Sequence, residues 1–331
     1  MIYVAGEGIA GEGGGVSVFT VSAPGDFRLV AKVPVDEMLY LAVDPSGRYL
    51  YGVSGVSVGY VHVWRIGGPG VELTRVGVPV HSGGGEPCHV VVDDSGDFLL
   101  VANYHGSEVG SVAVLPISPD GSLSTVTAVS RSTVPGPVAG RQGESHIHQV
   151  IVGPENEVLV VDLGADQVVS YVLVDGALVD PVVSHGPPGS GPRHLVRLPD
   201  GRVVVTGELD STLLRARHVN RRLVDWQATP SSGSPSVAGE PNYPSDLRVG
   251  GSFVVHVANR GADTVATLSI ATGAILRETP CGAWPRHLAL DGDLLYVSAT
   301  RANRVMVLDT QDRMAEPRSF AVAGPMCVVI T

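Results

Sequence analysis

Short apolar segments separated by polar turns recur along the whole chain. In each repeat an apolar run leads into a turn that is usually polar, and a second β-rich run follows. The seven segments with this pattern are MLYLAVDPSGRYLYGVS, PCHVVVDDSGDFLLVAN, HIHQVIVGPENEVLVVD, PRHLVRLPDGRVVVTGE, PSDLRVGGSFVVHVAN, PRHLALDGDLLYVSAT and the C-terminal fragment PMCVVIT. The DPSG, DDSG and LPDG turns are typical of hairpins. Another alternating run, such as YVHVWRI or TVATLSI, then predicts the next strand of the same unit.

The spacing of the repeats predicts their architecture. When the segments are aligned, one position near the start of each is occupied by Tyr40, His89, His148, His194, Asp246, His287 and Cys327. The intervals between these residues are 49, 59, 46, 52, 41 and 40 residues. Repeats of about 40 to 50 residues are typical of the four-stranded blades of β-propellers. We therefore expect an all-β, seven-bladed β-propeller that forms a single domain over residues 1–331.

The two ends of the chain complement each other in this scheme. The final segment, PMCVVIT, lacks the later strands of a blade, whereas MIYVAGEG and GGVSVFTV lack an innermost strand. We expect the N- and C-terminal strands to share one blade and so close the ring. An up-and-down barrel or a two-sheet sandwich would show no such period.

Two Pro/Gly/Ser-rich insertions interrupt the repeat, at residues 131–145 and 226–244. Each lies just before an innermost strand. In a propeller such connections lie on the face around the channel, so the insertions either shape a pocket there or are surface loops without a function.

Composition excludes several classes of protein. The formal net charge is −11 and Lys32 is the only lysine, which disfavours nucleic-acid binding. The three cysteines, Cys88, Cys281 and Cys327, lie far apart without a CxxC spacing, so neither a disulfide framework nor a zinc site is indicated. No apolar run is long enough to span a membrane, and the N-terminus has no basic leader pattern. We expect a cytoplasmic monomer.

Several segments resemble the lactonase family of seven-bladed propellers, which includes one type of bacterial 6-phosphogluconolactonase and the fungal carboxymuconate lactonizing enzymes. The resembling segments are EPCHVVVDDSGDFLLVANYHGSEVGSVAVLPI, ESHIHQV, VVDLGADQVVSY, GPRHLVRLPDGRVVVTGEL, VANRGADTVATLSI and WPRHLALDGDLLYVSATRANRV. In the lactonizing branch the proposed active site takes its residues from HxH, GPRH, xEL and NRG motifs. The resemblance implies that the catalytic residues here are His148, Arg193, Glu208 and Arg260. Two motifs depart from the family pattern: TGEL has no Asn before its Glu, and AGEG replaces a Gly-Thr-Tyr turn.

These residue types suit the opening of a lactone. A neutral histidine can take the proton of an attacking water, a step worth about 10²- to 10⁴-fold in rate. Guanidinium groups can stabilise the oxyanion and can hold a substrate carboxylate or phosphate. Glu208 could orient the histidine or an arginine, or could serve as the acid. Adding a carboxylate across a double bond, the reverse type of reaction, needs the same groups.

Four further residues are candidates for substrate binding. Arg286 occupies the position of Arg193 in a second PRH motif, and His146 lies on the same face of an extended segment as His148. Tyr104 and Asn103 occupy the corresponding turn of another blade. For all of these residues a structural role, such as an ion pair or a turn contact, is the alternative. For His89, His194 and His287 we favour the structural role.

No cofactor is expected. HIH at residues 146–148 is weak evidence for a metal, and the chain contains neither a P-loop nor a nucleophilic serine motif. Other propeller lactonases bind calcium near the channel, and an equivalent set here would be Glu144, Glu208, Asp246 and Asn259. The arginine-rich motifs argue against a cation at that place.

The sequence therefore predicts a metal-independent lactonase that acts on a small anionic substrate, with 6-phosphogluconolactone as the leading candidate. One alternative is a carboxymuconate-type cycloisomerase or a cyclase of a catabolic or biosynthetic pathway. A second alternative is a non-catalytic propeller that binds another protein, although aromatic residues, at 5%, supply few side chains for such a surface.

Overall fold

Seven antiparallel sheets follow one another along the chain in the computed structural model, which describes residues 1–9, 12–23, 25–55, 57–105, 109–131, 134–251, 253–312 and 314–331. Six sheets have four strands and one has five. Each innermost strand contacts the innermost strand of the next sheet, and the last contacts the first. The predicted seven-bladed β-propeller is confirmed.

The strands are, in chain order, β1 Ile2–Gly6, β2 Gly15–Ala23, β3 Asp26–Pro34, β4 Met38–Val43, β5 Tyr49–Ser54, β6 Tyr60–Gly67, β7 Glu72–Arg75, β8 Val80–His81, β9 Gly85–Val92, β10 Phe98–His105, β11 Ser111–Pro116, β12 Ala128–Arg131, β13 Ile147–Val152, β14 Glu157–Asp162, β15 Gln167–Val174, β16 Ala177–His185, β17 Pro192–Arg197, β18 Arg202–Gly207, β19 Thr212–Val219, β20 Arg222–Pro230, β21 Tyr243–Val249, β22 Val254–Arg260, β23 Thr264–Ser269, β24 Ile275–Pro280, β25 Pro285–Asp291, β26 Leu294–Ala299, β27 Arg304–Asp309, β28 Arg318–Ala321 and β29 Pro325–Ile330. Blades 1 to 6 consist of β4–β8, β9–β12, β13–β16, β17–β20, β21–β24 and β25–β28. Within the described ranges, short 3₁₀ turns lie at Pro154–Asn156, Val237–Gly239 and Thr300–Ala302. No helix in the described ranges is long and apolar enough to cross a membrane.

The seventh blade closes the ring, because β29 supplies its innermost strand and β1–β3 the other three. β29 pairs antiparallel with β1, with Ile2 opposite Ile330 and Val4 opposite Val328. The terminal ammonium group of Met1 donates a hydrogen bond of 2.5 Å to the carbonyl of Thr331. The expected sharing of one blade by the two ends of the chain is confirmed.

Aspartate side chains organise the first hairpin turn of blades 1 and 2. Asp44 accepts hydrogen bonds from the main-chain N–H of Ser46 and of Tyr49. Asp93 makes the same contacts with Ser95 and Phe98. The DPSG and DDSG elements are therefore hairpin turns, and each aligns the first two strands of its blade.

Seven apolar clusters, one between each pair of neighbouring blades, form the core. The second strand of a blade packs on both sides, which explains why β5 is buried at every position. In β5, Leu50 packs toward the closing blade and Tyr51 packs toward blade 2. Continuous apolar runs in the sequence thus mark strands with two buried faces.

A β-bulge lies near the start of every innermost strand, where that strand has one residue more than its partner. In a regular strand adjacent side chains point to opposite faces, and a bulge changes this direction. As a result, adjacent residues such as Arg193 and His194, or Arg286 and His287, border the same small cavity at the channel. The bulges direct pairs of neighbouring side chains toward the central axis.

Loss of the closing strand should unfold the ring. A chain that lacks residues 325–331 would lose the buried side chains of Met326, Cys327 and Val328 and would expose the inner edge of β1. Burial of one such side chain contributes about 1.5–3 kcal/mol, and the loss of all three is comparable to the whole stability of about 5–15 kcal/mol. We expect no cooperative thermal transition by circular dichroism. Removal of Thr331 alone is the control: this exposed residue contributes only its hydrogen bonds with Met1 to the closure, so its loss should lower Tm far less. An unchanged Tm after the longer deletion would contradict this picture of closure.

Candidate active site

Three arginines converge on Glu208 at the end of the channel where the innermost strands begin. Arg260 Nη2 lies 2.5 Å from Glu208 Oε2, and Arg193 Nε lies 3.0 Å from the same oxygen. Arg141 Nη2 lies 2.6 Å from the other oxygen, Oε1. The side chains of Glu208, Arg193 and Arg260 are buried, and that of Arg141 is 36% exposed. The structure thus brings together three of the four residues that the motifs implied, and adds Arg141.

The repeat explains how these residues meet. Glu208 directly follows β18, the second strand of blade 4, and Arg260 ends β22, the second strand of blade 5. Arg193 is the second residue of β17, the innermost strand beside β18. Equivalent positions of adjacent blades lie side by side around the ring, so a carboxylate in one blade meets a guanidinium group from the next.

Electrostatics keep Glu208 ionised. Burial alone would raise the pKa of its carboxyl group, but Arg260, Arg193 and Arg141 together lower the pKa to about 2. Burial, together with the neighbouring charge of Arg260, lowers the pKa of Arg193 to about 9. At pH 7 the cluster therefore contains an ionised carboxylate, which cannot donate a proton, and three cationic groups.

Arg286 lies beside this cluster and is half-buried. Within the described part of the chain its side chain has no hydrogen-bond or ion-pair partner. It borders a small cavity at the channel together with Arg193, Cys88 and His194. The charge of Arg286 also lowers the pKa of Arg193 and of Arg260, which shows that the guanidinium groups are close enough to repel one another. Such a group is available to bind an anion.

Tyr104 connects the arginine cluster to two histidines. Its side chain makes a hydrogen bond with Arg141, and its ring stacks on His146 with the centroids 4.4 Å apart. The ring of His148 meets Tyr104 edge-on at 5.5 Å. Burial, reinforced by the charge of Arg193, holds the pKa of His148 well below its usual range, so this imidazole is neutral at pH 7. The HIH segment therefore adjoins the arginine cluster.

Asn103 does not join the cluster, although it precedes Tyr104 in the sequence. Its side chain is fully buried and makes hydrogen bonds with Ser82 and Ser111. These contacts attach the end of β10 to residues 82–84. Here the structure places the amide in a structural position, away from the groups around Glu208.

Three contributors to the site were not identified from the sequence. Arg141 belongs to the first insertion, whose neighbouring Gln142 anchors it through hydrogen bonds of 2.8 Å to Leu163 and Asp166. Residues 132–133 of that insertion lie outside the described residues. Tyr243 lies near the end of the second insertion and is the first residue of β21. Its ring faces the guanidinium groups of Arg141 and Arg260 at 5.5 and 5.9 Å.

Trp284 is the third contributor. Its indole lies between Arg301, at 3.5 Å, and Arg260, at 5.5 Å. The residue has a positive φ of 60°, a conformation that costs a non-glycine residue roughly 1–2 kcal/mol. Its main-chain N–H donates a hydrogen bond of 2.8 Å to Asp263 Oδ1. The only sequence signal for either aromatic was its place at the start of an innermost strand (Tyr243) or directly before one (Trp284).

Three of the side chains considered above as calcium ligands already have protein partners. Both oxygens of Glu208 contact guanidinium groups, and Asp246 accepts hydrogen bonds from His194, Arg248 and main-chain N–H groups. The amide of Asn259 bonds to Ser231 and Asn242. The donor set at the mouth therefore suits an anion better than a cation.

This chain belongs to the lactonase family of seven-bladed β-propellers, since the model of that family matches residues 2–330. The expectation from the motifs is thus confirmed at the level of the family. A 6-phosphogluconolactonase of Bacillus subtilis is 30% identical over 305 residues, which cover 87% of this chain and 86% of the relative. A 6-phosphogluconolactonase of Formosa agariphila is 26% identical, with 94% of each chain covered. Among solved structures, a periplasmic gluconolactonase of Pseudomonas aeruginosa superposes with a TM-score of 0.85 at 26% identity, covering 99% of this chain and 98% of the other.

Replacing the buried carboxylate of Glu208 should lower the free energy of unfolding far more than replacing an exposed carboxylate. Glu208→Gln leaves three guanidinium groups without their shared counterion, and breaking a buried ion pair costs about 3–5 kcal/mol. The matched control is Glu240→Gln, because Glu240 pairs with Arg301 at the surface, where a pair contributes about 0–1 kcal/mol. Urea unfolding monitored by fluorescence would give both values. Equal and small losses in the two variants would contradict the proposed importance of Glu208.

Buried histidines should make the fold sensitive to acid. Burial is the main cause that lowers the pKa of His62, His194 and His256 to about 4 and that of His287 to about 3. The unfolded chain binds these protons at a pKa near 6.5, so stability is complete above that value and is lost as the pH falls toward 4. Each such histidine should reduce the free energy of unfolding by about 2 kcal/mol between pH 7 and pH 5. Urea titrations at both pH values test this, and the double variant His62→Gln/His256→Gln should depend less on pH; a constant stability would refute the prediction.

Proposed function

We propose that this chain hydrolyses a small anionic sugar lactone without a metal ion, with 6-phosphogluconolactone as the leading substrate. The proposal depends mainly on the excess of guanidinium groups at the channel mouth: Arg141, Arg193 and Arg260 surround one carboxylate and Arg286 lies beside them, although the chain as a whole has a net charge of −11. The names of the relatives from Bacillus subtilis and Formosa agariphila support the choice of lactone.

The arginines would divide into two roles. Arg286 is half-buried and unpaired among the described residues, so it would hold the phosphate of the substrate through two parallel hydrogen bonds. Arg193 and Arg260 are fixed by Glu208 and would stabilise the negative charge that develops on the carbonyl oxygen during attack. Glu208 would orient these two groups rather than act as an acid, since its pKa of about 2 keeps it ionised.

Hydrolysis also needs a proton acceptor for the attacking water. The histidines beside the arginine cluster include His146, His148 and His194. His146 Nδ1 lies 3.2 Å from the carbonyl oxygen of Tyr104, and this contact holds the imidazole ring in place beside the cluster. Tyr104, which contacts both His146 and Arg141, would help to position the sugar between the two groups.

We also propose that the protein acts as a monomer in the cytoplasm. The groups described above come from one chain, so a partner subunit is not needed to complete them. Cys88, Cys281 and Cys327 are buried free thiols, which suits a reducing compartment. Measurement of the molecular mass by light scattering would test the oligomeric state.

The decisive assay compares two lactones that differ in their phosphate. Freshly generated 6-phosphogluconolactone would be followed by a coupled dehydrogenase, and gluconolactone by proton release, each with and without EDTA. We expect turnover above the spontaneous rate, unaffected by EDTA. Arg286→Gln should lose a charge-assisted contact of about 1.5–3 kcal/mol, which corresponds to about a 10- to 150-fold loss of kcat/KM on the phosphorylated substrate.

Arg304→Gln is the matched control, because Arg304 lies on the surface in β27 and contacts Ser319. It should retain wild-type kinetics. An equal loss on both lactones would contradict a phosphate-binding role for Arg286. Full activity of the Arg286 variant would exclude that residue from the site, and loss of activity in EDTA would exclude the metal-independent mechanism. Mass spectrometry of the product separates hydrolysis, which adds a water, from the cycloisomerase alternative, which leaves the mass unchanged.

A further inference from the structure

Four histidines occupy the same position of different innermost strands, and their nitrogen atoms have different partners. In His287, Nδ1 accepts a hydrogen bond from the N–H of Val328 at 3.3 Å, and Nε2 lies 3.2 Å from the hydroxyl of Tyr40. In His148, Nδ1 lies 3.8 Å from the sulfur of Cys88. His89 Nδ1 is buried without a partner. None of these three has the carboxylate and the free nitrogen that characterise a positioned base.

His194 has both. Its Nδ1 lies 2.9 Å from Asp246 Oδ1, and its Nε2 is buried without a hydrogen-bond partner. The side chain of His194 is only 3% exposed and that of Asp246 is fully buried. A buried polar atom without a partner is costly, and such atoms are usually satisfied by water or by a ligand.

Asp246 fixes which nitrogen of His194 carries the proton. The carboxylate accepts hydrogen bonds from Arg248 Nη1 at 2.8 Å and from the N–H groups of Leu247 and Leu288 at 2.9 Å. Burial would raise the pKa of Asp246, but Arg248 and His194 hold it well below its usual range. Because an ionised carboxylate only accepts hydrogen bonds, His194 must donate from Nδ1, and its Nε2 keeps a free lone pair.

A small cavity adjoins this histidine at the mouth of the channel. Its volume is about 10 Å³, which is close to the space that one water molecule needs. It is bordered by His194, Arg193, Arg286, Tyr40, His287 and Cys88, among others. These polar groups are sufficient to hold a single water, and two of them are the arginines that would bind the substrate.

We propose that His194, positioned by Asp246, is the general base that activates a water molecule in this cavity for attack on the lactone. This inference rests on the lactonase function proposed above. The water oxygen bonds to the carbonyl carbon while its proton passes to His194 Nε2, and the charge on the carbonyl oxygen is balanced by the guanidinium groups. The ring C–O bond then breaks, and the leaving oxygen takes the proton back from His194. Lactone and water give the hydroxy acid, with no other reactant.

The surroundings explain why His194 suits this step better than His148. During the reaction the base becomes an imidazolium ion. At His194 that charge would face Asp246, 2.9 Å away, and this carboxylate opposes the effects of burial and of the neighbouring Arg193 charge. At His148 it would face the repulsion of Arg193, His194 and Arg286 without a carboxylate contact among the described residues.

The test uses three matched variants, His194→Gln, His148→Gln and His89→Gln, on whichever lactone the wild-type protein turns over. We expect His194→Gln to lower kcat by about 10²- to 10⁴-fold, with KM changed by less than about threefold. His89→Gln replaces the equivalent histidine of another blade and should keep the wild-type kcat. If His194→Gln retains kcat, the proposal is wrong. If His148→Gln alone loses kcat, the base is His148, and lactone hydrolysis still stands.

The positioning role of Asp246 is tested in the unmodified protein, because replacing Asp246 would also remove the counterion of Arg248. Two-bond ¹H–¹⁵N spectra of histidine-labelled protein report which nitrogen carries the proton. We expect His194 to be protonated at Nδ1 only; protonation at Nε2 would overturn the proposal. This spectrum requires no turnover, so it tests the protonation of His194 even if the protein hydrolyses no lactone. The absence of hydrolysis would itself contradict the proposed lactonase function.

Discussion

Three guanidinium groups share the carboxylate of Glu208, and the organisation of the channel mouth depends on that shared contact. Two unit positive charges 4 Å apart repel by about 4 kcal/mol at an effective dielectric constant of 20, so Arg193 and Arg260 could not lie so close in a buried site without an anion between them. One carboxylate cancels only one of the three charges. The remaining positive charge creates a local field opposite in sign to that of the whole chain, and this field can attract an anion from solution.

The bulges at the start of the innermost strands place histidines next to the arginines of the Glu208 cluster. Without a bulge, Arg193 and His194 would point to opposite faces of β17, and only one of them could face the channel. With it, the arginine reaches Glu208 and the adjacent histidine reaches Asp246 on the next innermost strand. The bulge in β17 therefore places one arginine of the Glu208 cluster and one histidine of the channel side by side.

Much of the fold could be predicted from the sequence, because the interval between repeats is a direct consequence of blade size. The meeting of Arg193, Glu208 and Arg260 follows from their motifs. Arg141 could not be predicted in this way, because it lies in an insertion outside the repeated segments and no repeat indicates where that loop folds. The buried position of Asn103 depends on contacts with residues 82–84, which no motif marks. The alignment of the repeats already places His194 and Asp246 at the same position of two neighbouring blades, which predicts that they lie close together. The sequence does not indicate which nitrogen of His194 faces the carboxylate.

The two insertions also separate the part of the protein that forms the ring from the part that borders the mouth. Four innermost strands are directly preceded by a residue with a positive φ, namely Glu37, Gly191, Trp284 and Gly324, and in blade 2 such a residue, Glu86, is the second of the strand. The innermost strands of blades 3 and 5 follow the insertions instead. Arg141, Tyr243 and Glu240 all come from these two segments. Changes of length or sequence between β12 and β13, or between β20 and β21, alter the rim and leave the paired strand residues in place. Evolution can therefore change the groups that border the mouth of this ring by exchanging two loops, while the blades stay as they are.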